Sequence, residues 1–407
     1  MKTRMSILKI SRSLDDIVAF FFALRAITFV WLAFASDIYS PLYSNAVMII
    51  RLITMPLGVL YLLKQRTLSS RDIEFLVPLV MYWLFLVFNT YGGYKGSYIH
   101  ELISIGCFLL MRKDEKIRVF HFFYWIILIC NIISIIVYLC NILNIDIGFT
   151  TLPFYNDGIE TSIYNKWFIF ATMGDPRYSL IRLCGIFNEP GALGTVCALL
   201  FASSFNYSKK REKIVWILTT LFSFSLAGYI LLITYLIIYL WNKNWRSIVV
   251  VLVFIVFLLA IPKIDWGNDQ FNTFAKRFEI TTHGLMGDNR IRTTFNIEFE
   301  QFKNSSDYPF GKGANFTSIE GTASYKNYII QFGIIGFILY FSVWIIAALR
   351  QSRGNKDCII LLIVFLISIY QRPVTISNSY GYVLIFGGME WIISQRNTIL
   401  LFTKNRT

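Results

Sequence analysis

The stretch Ile214-Val-Trp-Ile-Leu-Thr-Thr-Leu-Phe-Ser223-Phe-Ser-Leu-Ala-Gly228-Tyr-Ile-Leu-Leu-Ile-Thr-Tyr-Leu-Ile-Ile-Tyr-Leu240 is apolar almost end to end, interrupted only by its small, hydroxyl-bearing centre. Whether it forms one helix or two sets the topology of everything after it. Lys and Arg in short loops mark the cytoplasmic side of a membrane. Four early basic segments alternate with poor ones: the N-terminus (Lys2, Arg4, Lys9, Arg12), 64–73 (Lys64, Arg66, Arg71), 112–118 (Arg112, Lys113, Lys116, Arg118) and 206–213 (Lys209, Lys210, Arg211, Lys213). A single helix over 214–240 would put Lys243, Arg246 and the Arg350/Arg353/Lys356 loop outside and invert that pattern halfway. Two helices turning near Ser223–Gly228 preserve it to a cytoplasmic C-terminus with Arg396, Lys404 and Arg406. Two helices of that length each fall short of the hydrocarbon core, so the pair is expected to tilt, thin the bilayer or pack among neighbours; one long tilted helix is the alternative.

Composition agrees with a membrane solvent. The 407-residue chain is 56% hydrophobic and 15% charged, where a soluble protein would carry roughly 25% charged residues. Apolar runs long enough for membrane helices recur near 17–36, 44–63, 74–91, 97–111, 119–143, 186–205, 247–262, 325–349, 357–371 and 380–395. With the split run they predict an all-α, polytopic bundle of twelve crossings forming one integral membrane domain over 1–407. Arg25 and the length of the first run argue for an uncleaved helix rather than a signal peptide. Two outward segments, 144–185 and 263–324, are too long to be connectors. Their aromatic and apolar residues predict short amphipathic helices on the membrane surface. The six cysteines lie mostly inside apolar runs without close pairs, which predicts packing rather than disulfide or zinc chemistry.

Net charge is +14, and cytoplasmic loops account for much of it, so nucleic acid is not implied. Topology does not account for the outer cations: Lys166, Arg177 and Arg182 in the first long segment, and Lys276, Arg277, Arg290, Arg292, Lys303 and Lys312 in the second. A cationic outer mouth suits an anionic lipid-linked substrate, because guanidinium donates paired hydrogen bonds to phosphate. Arg372 and Lys326 extend that mouth, although an interfacial lysine more often snorkels. Within the apolar runs, Arg51 and Glu101 are costly unless paired or facing a cavity; an Arg–Glu pair in the bundle interior, or contact with substrate, is expected.

The sharpest local feature is Arg182-Leu-Cys-Gly185-Ile-Phe-Asn-Glu189-Pro190-Gly191-Ala-Leu-Gly194, at the outer start of a membrane helix. Pro190 suits the first helical position, and Glu189 before it sits at the positive end of the helix dipole. Such a carboxylate can take a proton from a hydroxyl, orient an arginine, or simply cap the helix. Gly185, Gly191 and Gly194 suit close helix packing. There is no Walker loop, dinucleotide glycine motif or HExxH, and no all-histidine zinc site can be assembled from three histidines. His283 to Asp288 matches a short acyltransferase pattern that belongs to larger cytoplasmic domains and carries little weight.

Taken together, Arg182…Gly-Ile-Phe-Asn-Glu189-Pro190-Gly191, the Ser223–Gly228 turn, Gly287-Asp-Asn-Arg290-Ile-Arg292 and Ser324-Tyr-Lys326-Asn-Tyr328-Ile-Ile-Gln331-Phe-Gly333-Ile-Ile-Gly336 resemble the bacterial O-antigen polymerases of the Wzy type. The likeness covers 170–345 in motif; Arg182 and Gly194 lie one residue further apart than the family's arginine-to-glycine spacing. The resemblance implies a metal-independent, cofactor-free glycosyltransferase of the C-type membrane superfamily in the bacterial inner membrane, with two long periplasmic loops. It would transfer a growing polysaccharide from undecaprenyl diphosphate to a lipid-linked repeat unit, with Glu189 and Arg290 catalytic and Arg182, Arg292, Arg372 and Lys326 on the diphosphate. A chain-length-regulating membrane partner is implied too. An O-antigen ligase and a lipid-linked oligosaccharide flippase are the competing classes.

Overall fold

The computed structural model describes residues 2–28, 41–65, 70–89, 97–156, 159–174, 180–241, 293–313, 325–371 and 379–404, with scattered positions between 249 and 285 and residue 316. Its helices are α1 (Lys2–Thr28), α2 (Pro41–Gln65), α3 (Ser70–Phe88), α4 (Ser97–Leu110), α5 (Lys113–Ile142), α6 (Pro190–Ser204), α7 (Lys210–Phe222), α8 (Leu226–Trp241), α9 (Thr293–Lys303), α10 (Tyr325–Ser352), α11 (Lys356–Gln371) and α12 (Gly388–Lys404). One helical turn, Ser379–Tyr382, and a π-helical turn, Val383–Gly387, lead into α12. Among the described residues, α5 and α10 are long and apolar enough to cross a membrane. Half of the expected run 247–262 lies outside the described residues.

The run that decides topology is divided where expected. α7 ends at Phe222, Phe224 takes φ 46°, and α8 starts at Leu226. The turn closes with its own hydroxyls: Ser223 Oγ donates to the Thr220 carbonyl at 2.7 Å, and Ser225 Oγ accepts the Gly228 amide at 3.2 Å. Ser225 thus caps the first turn of α8, the role for which a short hydroxyl side chain is suited.

The segment 144–185 corrects the sequence expectation. Instead of surface helices it forms an antiparallel meander, β1 (Thr150–Asn156), β2 (Ile159–Trp167), β3 (Phe170–Gly174) and β4 (Ile181–Gly185), paired in sequence order. The chain is therefore mostly helical but not all-α. Ile159, Thr161 and Ile163 alternate with Glu160, Ser162 and Tyr164, a period of two that gives no helical apolar stripe, and β-branched residues fit a pleated surface. Asn156 pairs with Ile159 across Asp157-Gly158, a dipeptide strongly preferred in two-residue hairpin loops.

The chain divides into two compact units. One comprises residues 1–29, 39–124 and 290–407, the other 30–38 and 125–289, so the second long segment is shared between them. In the second unit every residue of α6 except Ala192 is buried and none is charged, the pattern of a central helix. α5 is two-faced there. Ile127, Leu128, Asn131, Ser134, Val137 and Tyr138 are buried, whereas Trp125, Ile129, Ile132, Ile136, Leu139 and Leu143 are uncovered. Their spacing of four and three residues makes one continuous stripe. Left in water, each such side chain forgoes roughly 1.5–3 kcal/mol of burial, which favours lipid as the solvent of this face.

In the first unit the core is aromatic: Tyr82, Tyr340, Trp344, Phe365, Tyr382 and Phe386 are all buried, and the hydroxyls of Tyr82 and Tyr328 meet. α10 is broken at Gly333 (φ 70°, ψ 176°), and the chain 308–313 is laid into the break. Lys312 and Gly313 amides donate to the Ile330 and Gln331 carbonyls at 2.7 and 2.9 Å. Ile334 and Ile335 amides donate to the Tyr308 and Pro309 carbonyls at 3.0 and 3.2 Å. Four backbone groups beside the kink thus find partners, as irregular backbone requires wherever water is absent.

Candidate functional site

The site in the second unit grows from the junction of β4 and α6. Glu189 is extended (φ −157°, ψ 150°) and Pro190 occupies the first helical position, as expected. The Glu189 carbonyl accepts from the Ala192 and Leu193 amides, and its half-buried side chain belongs to the residue at the positive end of the α6 dipole.

Arg182 holds the floor. Its Nε donates to the Ser223 carbonyl at 3.2 Å and an Nη to the Phe224 carbonyl at 3.1 Å. These are carbonyls at the C-terminal end of α7, where a cation is favoured and the helix leaves acceptors without intrahelical donors. Arg182, which the resemblance places on the diphosphate, makes these two bonds to the α7–α8 turn. The glycines do what close packing asks. A Cβ on Gly194 would lie 2.6 Å from the Ser225 Cβ and 2.7 Å from the Ser223 Oγ, and one on Gly228 would lie 3.0 Å from the Gly194 backbone. Gly185 (φ 61°) leaves room for Ser134 Oγ, 2.9 Å from where its Cβ would stand.

The sheet contributes residues that the sequence did not single out. Register places Leu152, Tyr164, Met173 and Arg182 in one cross-strand row, with Lys166 on the same face two residues along β2. Tyr164 Oη donates to the Asn188 carbonyl at 2.8 Å, tying this face to the residue before Glu189. Burial lowers the Lys166 pKa from its ordinary value. Burial raises the Cys184 thiol; Arg182 opposes that shift and Glu189 adds to it, so both charges act on one locality. On the opposite face, Asn141 donates to Thr172 Oγ1 at 2.6 Å and accepts from Asn165 at 3.4 Å, fixing the meander to α5. Tyr164 had a signal of period-two alternation, visible only once the segment is known to be a strand.

Lys326 lies in the first unit at the start of α10. Its Nζ donates to Asn296 Oδ1 at 2.6 Å and stands 5.2 Å from the Phe299 ring. Lys303 also lies over Phe299, and Lys312 lies over Phe302 and Phe316. Lys303, Lys312 and Lys326 thus rest on the aromatic surface of α9 and Phe316; the buried Phe295, Phe299 and Phe302 of α9 pack on Ile329 and Ile330. Cations over ring faces are attracted by the ring quadrupole, and Lys303 Nζ is also paired with Glu300 Oε1 at 2.8 Å.

Arg290, Arg292 and Arg372 lie outside the described residues, as do His283 and Asp288. Glu101 is on α4, its side chain outside the description; Arg51 is half-buried on α2. Arg25 is 0% exposed, and its Nη1 is 3.5 Å from the Arg51 carbonyl. Among the described residues no cluster of His, Cys, Asp or Glu could hold a metal ion. All six cysteines are free; Cys107, Cys184, Cys197 and Cys358 are buried as packing residues. No protein family, curated protein or solved structure matches this chain.

Proposed function

We infer that the protein is an O-antigen polymerase of the bacterial inner membrane, with both termini in the cytoplasm. It joins undecaprenyl-diphosphate-linked oligosaccharide units on the periplasmic face. The observation that carries this reading is the head of α6: a half-buried carboxylate, Glu189, at a helix N-terminus beside an arginine-clamped turn, with a cation-bearing strand face leading to it. An acceptor hydroxyl attacks the anomeric carbon of the donor sugar, its proton passes to Glu189, and the bond from that carbon to the diphosphate oxygen breaks. Diphosphate is already a good leaving group, so catalysis reduces to alignment and stabilisation of the departing negative charge. Arg290 and Arg292 meet that charge, with Arg372 and Lys326 as further cations at the mouth. Arg182 acts on the reaction by holding the turn on which α6 is seated.

The test is a lipopolysaccharide gel of a strain lacking the gene, complemented with wild type, Arg290→Ala or Glu189→Gln. A single core-plus-one-unit band in the deletion, restored to a ladder by wild type and by neither variant at equal membrane protein level, is the expected result. Loss of even the single unit in the deletion would favour the ligase or flippase. A full ladder from Arg290→Ala would remove that arginine from the chemistry.

A further inference from the structure

The three lysines on the ring faces of α9 and Phe316 differ in what else holds them. Lys303 Nζ is paired with the Glu300 carboxylate at 2.8 Å, which offsets its charge. Lys312 Nζ has ring faces for partners, 5.7 Å from the Phe302 centroid and 4.7 Å from that of Phe316, and among the described residues no carboxylate meets it. Lys326 has the Phe299 ring at 5.2 Å and the neutral amide oxygen of Asn296 at 2.6 Å. A ring quadrupole or an amide dipole orients an ammonium without cancelling its charge. Lys312 and Lys326 are therefore fixed in place by neutral groups, whereas Lys303 is fixed by an anion.

Both are mounted on the part of α10 that precedes its break at Gly333. Lys326 lies in the first turn of that helix, and the Lys312 amide donates to the Ile330 carbonyl at 2.7 Å, one turn further along. Gln331 Nε2 donates to the Phe316 carbonyl at 3.2 Å and so secures the chain that carries the second ring beneath Lys312. Along α9, one ammonium is gripped at Asn296 and Phe299 and the other at Phe302, grips about 5–9 Å apart by helix rise. Two point charges held at such a spacing suit an anion with two linked phosphoryl groups better than one with a single phosphate, and holding them beforehand lowers the cost of ordering them on binding.

We propose that Lys312 completes, with Lys326, a two-point seat for the diphosphate of the lipid-linked donor, and that Lys303 lies outside it. The identity of the anion rests on the polymerase reading, and the test separates the two. The probes are undecaprenyl diphosphate and undecaprenyl monophosphate at equal mole fraction in phosphatidylcholine nanodiscs holding the full-length protein, with bound lipid counted by native mass spectrometry. Wild type is expected to hold the diphosphate about tenfold over the monophosphate, the worth of one further charge-assisted contact. Lys312→Met, whose apolar stem still covers the rings, should lose most of that preference; Lys303→Met should keep it. A preference undiminished in Lys312→Met, or equal binding of the two probes by wild type, would overturn the seat and leave the polymerase reading standing. Wild type that binds neither probe would overturn both. Loss of the preference when phosphatidylglycerol replaces phosphatidylcholine would assign the lysines to phospholipid headgroups and overturn the seat as well. If Lys312→Met lowers the amount of folded protein, acetylation of wild type by acetic anhydride decides: undecaprenyl diphosphate should protect Lys312 and Lys326 and leave Lys303 reactive, and an unprotected Lys312 would overturn the seat.

Discussion

Two places in this molecule bring backbone against backbone through glycine, and they are built by opposite means. At the α7–α8 turn, Gly194 and Gly228 let helices approach, but side chains do the closing: Ser223, Ser225 and Arg182 satisfy the freed amides and carbonyls. At the α10 break, Gly311 and Gly333 face one another across two short chains, and main-chain hydrogen bonds do the closing. A Cβ on Gly333 would lie 2.2 Å from the Pro309 carbonyl oxygen, and one on Gly311 2.4 Å from that of Gln331. The obstacles at the first place are side-chain atoms as well as backbone; at the second they are backbone alone. A side-chain knot can be relieved by a second substitution, and a backbone knot cannot.

The comparison breaks if the following order of effects fails. Gly333→Ala should do most harm, because its φ and ψ are close to glycine-only territory and the clashing atom is a hydrogen-bonded carbonyl. A loss of about 4 kcal/mol is expected, read as collapse of the folded fraction in detergent on thermal challenge by size-exclusion chromatography. Near-wild-type survival would mean that α10 is continuous. Gly194→Ala should cost about 1–3 kcal/mol by overpacking. Ser225→Gly should recover part of it in the double variant, since the Cβ atoms of 194 and 225 are the pair in conflict and a Gly cap loses only a few tenths of a kcal/mol relative to Ser. Strict additivity of the two changes would dissolve the proposed contact. Arg182→Lys should have the smallest effect, about 1–2 kcal/mol, because an ammonium cannot reproduce a two-carbonyl fork. Arg182→Lys as stable as wild type would move this arginine from the turn to the substrate.

Much of the helical layout was legible in residue order. Pro190 at the first position of α6, the turn at Ser223–Ser225 and the helices near each described apolar run follow from local chemistry: a proline that needs no amide partner, hydroxyls that cap, and runs of one solvent preference. The meander carries no helical stripe, because Ile159 to Trp167 alternates with a period of two, and its hairpin signal is confined to the dipeptide Asp157-Gly158. The break in α10 had only a faint trace, the glycines of Pro309-Phe-Gly311-Lys-Gly313 and Gly333-Ile-Ile-Gly336. Nothing local says that these two stretches meet.

Of the candidate site, the helix start at Glu189-Pro190 was recoverable from sequence, and the contacts of Arg182 with the α7–α8 turn were not. An arginine before a carboxylate reads equally as a ligand for phosphate and as a clamp on a helix end, since both offer oxygen acceptors to the same fork. Only the tertiary structure, by bringing Ser223 and Phe224 within its reach across forty residues of chain, shows that two of its acceptors are carbonyls of the α7–α8 turn. Composition and apolar patterning determined the helical character, because those are sums over many residues and tolerate local error. Pairings between distant backbones depend on single contacts and carry almost no signature in either partner alone.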